Sequence, residues 1–237
     1  MEDSFRCILE QPDHEKPLVL VLVGPNGSGK SSLANLLGLT SVQIGDKRYK
    51  GRIVFDGETG EVLLPMVNPD EIAKAIKHDN PSMNWDACNL QAAREADETR
   101  KVLAEAGFDF CFETVGSHVS KVEFLAGLKS KGYTIAILFI STENPEINVR
   151  RVKERHHSGG HDVPPEKVRS RYLRTMRLLP EYYLLADVMA IFDNGDDREQ
   201  NDGKGPKLLL IKRRDGVTIT DNGRQSPWLI EHIDRMF

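Results

Sequence analysis

Cysteine is scarce in this 237-residue chain: Cys7, Cys88 and Cys111 stand far apart and form no metal-binding pair. That excludes a disulfide scaffold and a thiolate zinc site; the three read as reduced thiols, two of them in the core. Long apolar runs are missing too, since none approaches the roughly 20 residues of a membrane span. The opening MEDSFRCILEQ is acidic and lacks a signal peptide's apolar core, so a cytoplasmic location and no membrane partner are expected. Positive charge is not in excess, with 32 Lys and Arg against 36 Asp and Glu. A net charge of -4 and no stripe of interleaved basic and aromatic residues argue against a nucleic-acid binder or polynucleotide kinase. No internal repeat is present.

What is present begins with VLVLVGPNGSGKSSLANLL, residues 19–37. Gly24 is followed after four residues by Gly29, Lys30 and Ser31, between an apolar β-branched run and a helical pattern. In that context Gly24, Pro25, Asn26, Gly27, Ser28, Gly29, Lys30, Ser31 and Ser32 form a phosphate-binding loop. Its backbone N–H groups and the following helix end cradle the phosphates of ATP, Lys30 reaches the outer ones, and Ser31 ligates Mg²⁺.

Apolar strands alternate with helical patterns along most of the chain, which predicts an α/β parallel sheet with right-handed crossovers and helices on both faces. PLVLVLVG, residues 17–24, and YTIAILFIS, residues 133–141, are continuous apolar runs suited to strands buried on both faces. YKGRIVFDGETGEVLLP predicts a β-hairpin turning at Asp56-Gly57 or Thr59-Gly60, within an insertion over about 41–64. PMVNPDEIAKAIK then predicts a short strand and a helix with Asn68 as N-cap, Pro69 first and Glu71 in capping-box position. Residues 86–107 predict a long helix closed by Gly107. A helix after SGGHDVPP places Val168, Tyr172, Met176 and Leu179 on a packing face. A polar loop over 194–206 leads to a C-terminal hairpin, KLLLIKRRDGVTIT, and a short helix. One kinase-like domain over 1–237, with its core at about 17–193 and an appendage at about 205–237, accounts for the pattern.

The phosphate's destination is the harder question. An ATPase or nucleotide switch acting on a protein partner is one reading, and VMAIFD ends in an aspartate, Asp193, as such a protein would need. Asn194, however, stands where its water-activating carboxylate belongs. Kinase chemistry asks for a proton acceptor, cations over the transferring group and a lid. Asp70 lies at the start of a helix just beyond a strand, at the sheet edge where α/β folds bind ligands. Glu113 and Thr114 end another strand at the same edge, placed to bind Mg²⁺ through water or hold a substrate hydroxyl. Between Arg150 and Arg177 there are nine Lys or Arg against three acids. Arg151 with Arg155, and Arg171 with Arg174, sit on two helices flanking HHSGGHDVPP, the pattern of a phosphate-closing lid. The competing reading is a solvated basic face paired with Glu154 and Glu166. His156, His157 and His161 do not make a zinc site, because adjacent histidines point to different sides of a helix.

GPNGSGKSS, MVNPDEIAKAI, AAREADE, FDFCFETVGS, YTIAILFIS, VRRVKERHHSGGHDVPPEKVRSRY and LADVMAIFDN, in that order over about residues 17–193, resemble the zeta toxin kinases. The resemblance implies an ATP-dependent phosphotransferase acting on a hydroxyl of UDP-N-acetylglucosamine or a related small molecule, and the possibility of an antitoxin protein as partner. It implies Lys30 and Ser31 at ATP and Mg²⁺, Asp70 as general base, Glu113 and Thr114 at the acceptor, and Arg155 as a lid cation. Where the family's second lid arginine falls this chain has His161, so the second cation is His161 or Arg171. The 41–64 insertion is a further departure.

Overall fold

The computed structural model describes residues 16–36, 39–42, 54–55, 62–157, 163–195 and 205–236. These hold nine strands: β1 Leu18–Val23, β2 Leu39–Val42, β3 Val54–Phe55, β4 Val62–Val67, β5 Phe110–Thr114, β6 Thr134–Ser141, β7 Val188–Asp193, β8 Lys207–Arg213 and β9 Gly216–Ile219. The helices are α1 Lys30–Leu36, α2 Pro69–Asp79, α3 Trp85–Glu105, α4 Val119–Ser130, α5 Pro145–His157, α6 Pro165–Arg177, α7 Leu179–Leu185, α8 Asp221–Gln225 and α9 Pro227–Ile233. All strands join one sheet in the order β2-β4-β5-β1-β6-β7-β8-β9, with β3 pairing β4 off this path. Pairing is parallel from β2 through β7 and antiparallel for β3, β8 and β9.

The central strand shows why the sequence folds this way. All six residues of β1 are buried. Val19, Val21 and Val23 enter one apolar cluster while Leu18, Leu20 and Leu22 enter the other. Period-two alternation between two apolar faces is what a strand covered on both sides requires. On the first face pack α3, α4, α6, α7 and α9, through residues such as Leu103, Leu125, Met176, Tyr182 and Trp228. Leu33 and Ala34 of α1 pack on the second. Cys88 and Cys111 are buried free thiols, as expected of them, while Cys7 lies outside the described residues.

Several elements differ from expectation. The arm ending the inserted hairpin and the short strand before Asp70 are one strand, β4. Its start pairs with β3 (Val54↔Leu63, Phe55↔Val62) and with β2, and its end pairs with β5 (Met66↔Cys111, Val67↔Phe112). Pro65, which has no N–H for a ladder, stands where β4 leaves β2 for β5. Strand β2 falls where no strand is predicted. The expected turn residues 56–60 lie outside the described residues. Glu71 does not close a capping box: its carboxylate takes Lys74 Nζ at 2.6 Å, while the Asn68 side chain caps the Asp70 N–H. The packing face over Val168, Tyr172, Met176 and Leu179 is buried but spans two helices, because Pro180 opens α7. The C-terminal hairpin is present, followed by two short helices divided at Ser226-Pro227.

This topology fixes where a ligand sits. From β1 the chain crosses to β4 and β5 on one side, then returns past β1 to β6 and β7 on the other. Crevices form at such a reversal, beyond the carboxyl ends of the strands, and the glycine-rich loop leaves β1 there.

Candidate active site

The loop between β1 and α1 is shaped from outside as well as by its glycines. Gly27 and Gly29 have φ of 76° and 98°, in the left-handed region that disfavours other residues. A Cβ on Gly27 would lie 2.7 Å from the Asn148 carbonyl, and one on Gly29 2.4 Å from Asn194 Nδ2. Lys30 Nζ turns back to donate to the carbonyls of Gly24 (2.7 Å) and Pro25 (3.1 Å). Its pKa is lowered to about 8 by burial, with Arg155 adding to the fall and Glu113 and Asp70 opposing it.

Around Lys30 opens a cleft of about 1190 Å³ lined by Asn26, Gly27, Gly29, Lys30, Ser31 and Ser32 of the loop. Gly24, Pro25 and Ser28 are not part of the lining, and Ser28 is buried behind it. Asp70, Glu113, Thr114, Arg155 and Arg171 all line the same cleft. His161 lies outside the described residues, as do the side chains of His156 and His157.

Local structure explains these placements. Val67 ends β4 beside Phe112, so Asn68 follows next to Glu113, and Asn68 and Pro69 start α2 with Asp70 in its first turn. Glu113 is largely buried, which raises its pKa; Asp70 acts in the same direction, and Lys30 and Ser31 oppose. Ser31 Oγ lies 3.3 and 3.4 Å from the two Glu113 carboxylate oxygens. Two oxygen donors at that spacing suit Mg²⁺, which takes few protein ligands and completes its shell with phosphate and water. Thr114 Oγ1 accepts from the Gly116 N–H (3.1 Å), and the Thr175 hydroxyl lies 2.8 Å from the Val115 carbonyl, tying the loop after β5 to α6.

The two arginine-bearing helices stand over the cleft, α5 with Arg150, Arg151 and Arg155 and α6 with Arg171. Arg171 Nη1 donates to Asn26 Oδ1 (3.2 Å); burial lowers its pKa, and Arg174 adds to this. Arg174 is not in the cleft lining. A bidentate pair of Arg169 with Glu146 (2.6 and 2.8 Å) joins α6 to α5. Arg150 lies 3.9 Å from Glu154, so part of the basic segment is neutralised and part faces the cleft.

Sequence reasoning missed the far wall of the cleft. Asp97, Arg100 and Lys121 line it with Phe112. The Arg100 guanidinium, only 5% exposed, lies 5.1 Å from the Phe112 ring centre and pairs with Asp97, which also takes Lys121 Nζ at 3.0 Å. Asp97 and Arg100, three apart in EADETR, resemble any surface helix pair; only the burial of Arg100 sets them apart. Asn148 was missed as well, and Asn194 was read only as an absent carboxylate. Asp193 is directed elsewhere: its carboxylate accepts from the Gly195 N–H (2.6 Å) and from Trp228 Nε1 (3.1 Å).

A mostly parallel sheet, a glycine-rich loop at its reversal point and a basic helical pair over the cleft together define a P-loop protein of the kinase-like class. Comparison with known proteins narrows this. Residues 3–205 match the zeta toxin family, and the chain belongs to that family. An uncharacterized protein of Haemophilus influenzae (strain ATCC 51907 / DSM 11121 / KW20 / Rd) is 27% identical over 149 residues, 63% of this chain and 88% of that one. Among solved structures, the AvrRxo1-ORF1:AvrRxo1-ORF2 complex with sulphate ions superposes with a TM-score of 0.64 at 12% identity, covering 96% of this chain and 70% of the other. The same complex with ATP gives 0.61 at 13% identity, covering 96% and 68%. At those identities the likeness is one of fold. No helix among the described residues is long and apolar enough to cross a membrane.

Proposed function

We propose that the protein is an ATP-dependent kinase, a single domain that transfers the γ-phosphoryl group to a hydroxyl of a small molecule. UDP-N-acetylglucosamine or a related sugar nucleotide is the acceptor that family membership favours. The observation that carries the reading is the charge grouping at Lys30: its ammonium feels Asp70, Glu113 and Arg155 at once. All four residues line one cleft, which supports reading them as phosphate cation, base, acceptor-side carboxylate and lid cation.

In this reading the loop N–H groups hold the phosphates and Lys30 exchanges the Gly24 and Pro25 carbonyls for phosphate oxygens. Ser31 and Glu113 would hold Mg²⁺, which would supply positive charge against the phosphates. Asp70 accepts the acceptor hydroxyl's proton as its oxygen bonds to the γ-phosphorus and the bond to ADP breaks. Glu113 and Thr114 orient the acceptor. Arg155 and Arg171 stabilise charge on the transferring group and close the site to water; Arg171 is the second lid cation, since it already reaches the loop at Asn26. An antitoxin protein as partner, which family membership favours, and a cytoplasmic setting complete this reading.

The test incubates γ-labelled ATP with UDP-N-acetylglucosamine and a metabolite mixture, using the wild type and Asp70→Asn. Label should appear in a new phosphate ester. Asp70→Asn should cut transfer by about a hundredfold to ten-thousandfold with ATP affinity nearly unchanged. Label released only as free phosphate would overturn the kinase reading and favour the ATPase.

A further inference from the structure

We propose that Asn194 is a positioning residue that aims the Gly29 N–H at the bound polyphosphate, and that chain beyond the family match sets Asn194 in place. The family match ends at residue 205, so β8, β9, α8 and α9 follow it. Asn194 Nδ2 donates to the Ser28 carbonyl at 2.9 Å. In a trans peptide the C=O of one residue and the N–H of the next point in opposite directions, and no peptide bond among the described residues is cis. Drawing the Ser28 carbonyl towards Asn194 therefore turns the Gly29 N–H away from it, to the loop's other side. Asn148 repeats the device two peptide units earlier: its Nδ2 donates to the Asn26 carbonyl at 2.6 Å, which orients the Gly27 N–H. Asn148 is wholly buried, and its own carboxamide oxygen is held by Thr142.

Asn194 is itself fixed at both backbone ends. Its N–H donates to the Ser141 carbonyl (2.8 Å) and its carbonyl accepts from Arg151 Nη1 (2.7 Å). The next residue, Gly195, is pinned by Asp193, whose other carboxylate oxygen takes the indole N–H of Trp228. Trp228 is 5% exposed and packs in the main core with Leu229. A path of contacts thus runs from α9 through Asp193 and Asn194 to the phosphate loop.

The inference rests on the reading that the loop holds ATP, and its test needs no knowledge of the acceptor. Binding of ATP, inorganic tripolyphosphate and adenosine is measured for the wild type, Asn194→Ala and Trp228→Phe. Phenylalanine removes the indole N–H together with the five-membered part of the bicyclic ring, and keeps an apolar aromatic side chain in the core. Loss of a neutral hydrogen bond acting on one phosphate donor should weaken ATP and tripolyphosphate by about threefold to tenfold in Asn194→Ala. In Trp228→Phe the loss should be about twofold to fivefold, since it acts through two intervening residues. Adenosine affinity and the one-to-one stoichiometry should not change; a merely structural defect would lower adenosine binding or stoichiometry as well. Should Trp228→Phe fail to fold, Asp193→Asn tests the same link, because a carboxamide cannot accept from both N–H groups. Unchanged ATP affinity in Asn194→Ala, or an equal loss for adenosine, overturns the positioning role. Unchanged affinity in the Trp228 or Asp193 variant overturns the part played by the extension. Failure of the wild type to bind ATP at all would instead remove the underlying reading.

Discussion

Raising the pH should loosen ATP, with Lys30 as the cause. In the free protein the ammonium sits on two carbonyls in a desolvated pocket, and its pKa is lowered from 10.5 to about 8. Bound phosphate places a dense negative charge beside it and restores the charged form. ATP binding above pH 8 therefore takes up a proton, and affinity falls as pH rises through the free protein's value. With a pKa of about 8, roughly nine-tenths of the lysine is charged at pH 7 and one-tenth at pH 9, so affinity should drop about tenfold across that interval. ATP itself contributes nothing to the slope at the upper end, its last phosphate ionisation lying near pH 6. Calorimetry in two buffers of different ionisation enthalpy at pH 8.5 should show net uptake of most of one proton. Lys30→Arg, whose guanidinium stays charged throughout, should flatten the profile. Folding stability has the opposite sense: the folded state gives up this proton before the unfolded chain does, so stability rises between about pH 8 and 10.5. An ATP affinity that is level from pH 7 to 9.5, with no proton uptake, would refute the picture of a desolvated Lys30 recharged by phosphate.

If Arg155 serves as the proposed lid cation, Arg155→Ala should depress turnover far more than ATP affinity, because such a cation acts on charge that develops during transfer; equal losses in kcat and in affinity, measured side by side, would reduce it to a ground-state contact. Asp97→Ala leaves Arg100 buried without its carboxylate. Allowing for the half-exposed Asp97, it should cost about 1 kcal/mol, or about 2–4 °C in Tm. Burial opposes ionisation of Asp97, but hydrogen bonds from Lys121 and Arg100 hold its pKa below the usual carboxylate value. The Tm difference should therefore be full above the unfolded carboxylate's pKa and vanish as pH falls through the lowered one, and a difference that persists in strong acid would point to packing instead.

The parallel core was legible because each strand is short, apolar and bounded by turn residues, and β1 and β6 need no alternation with polar positions. The cleft positions of the phosphate loop, Asp70, Glu113 and Thr114 were legible for a related reason, since each stands at a strand end or helix start at the sheet edge, while those of Arg155 and Arg171 were legible from basic residues on two helices flanking a glycine-containing stretch. Arg100 was not, since nothing in EADETR distinguishes a cation bound for a buried aromatic from one bound for water. Asn148 and Asn194 escaped because carboxamides are ordinary at helix starts and strand ends, and their partners lie 122 and 166 residues away in the chain. Strand β4 was divided in two because Pro65 reads as a breaker until its two neighbours, β2 and β5, are seen to change over beside it.

The continuity of β4 limits how the gene can vary in length. Its first residues belong to the inserted hairpin and its last place Asn68 and the helix bearing Asp70 against Glu113. Deleting or adding one codon between Val62 and Asn68 would shift everything after it by about 3.3 Å and turn each side chain to the opposite face of the sheet. Length changes that spare the ladder have to fall between Val42 and Val54 or between Phe55 and Val62. Homologues should therefore vary in the size of this insertion while keeping a fixed residue count from the start of β4 to Asp70, a frame that recombination and domain grafting would also have to respect.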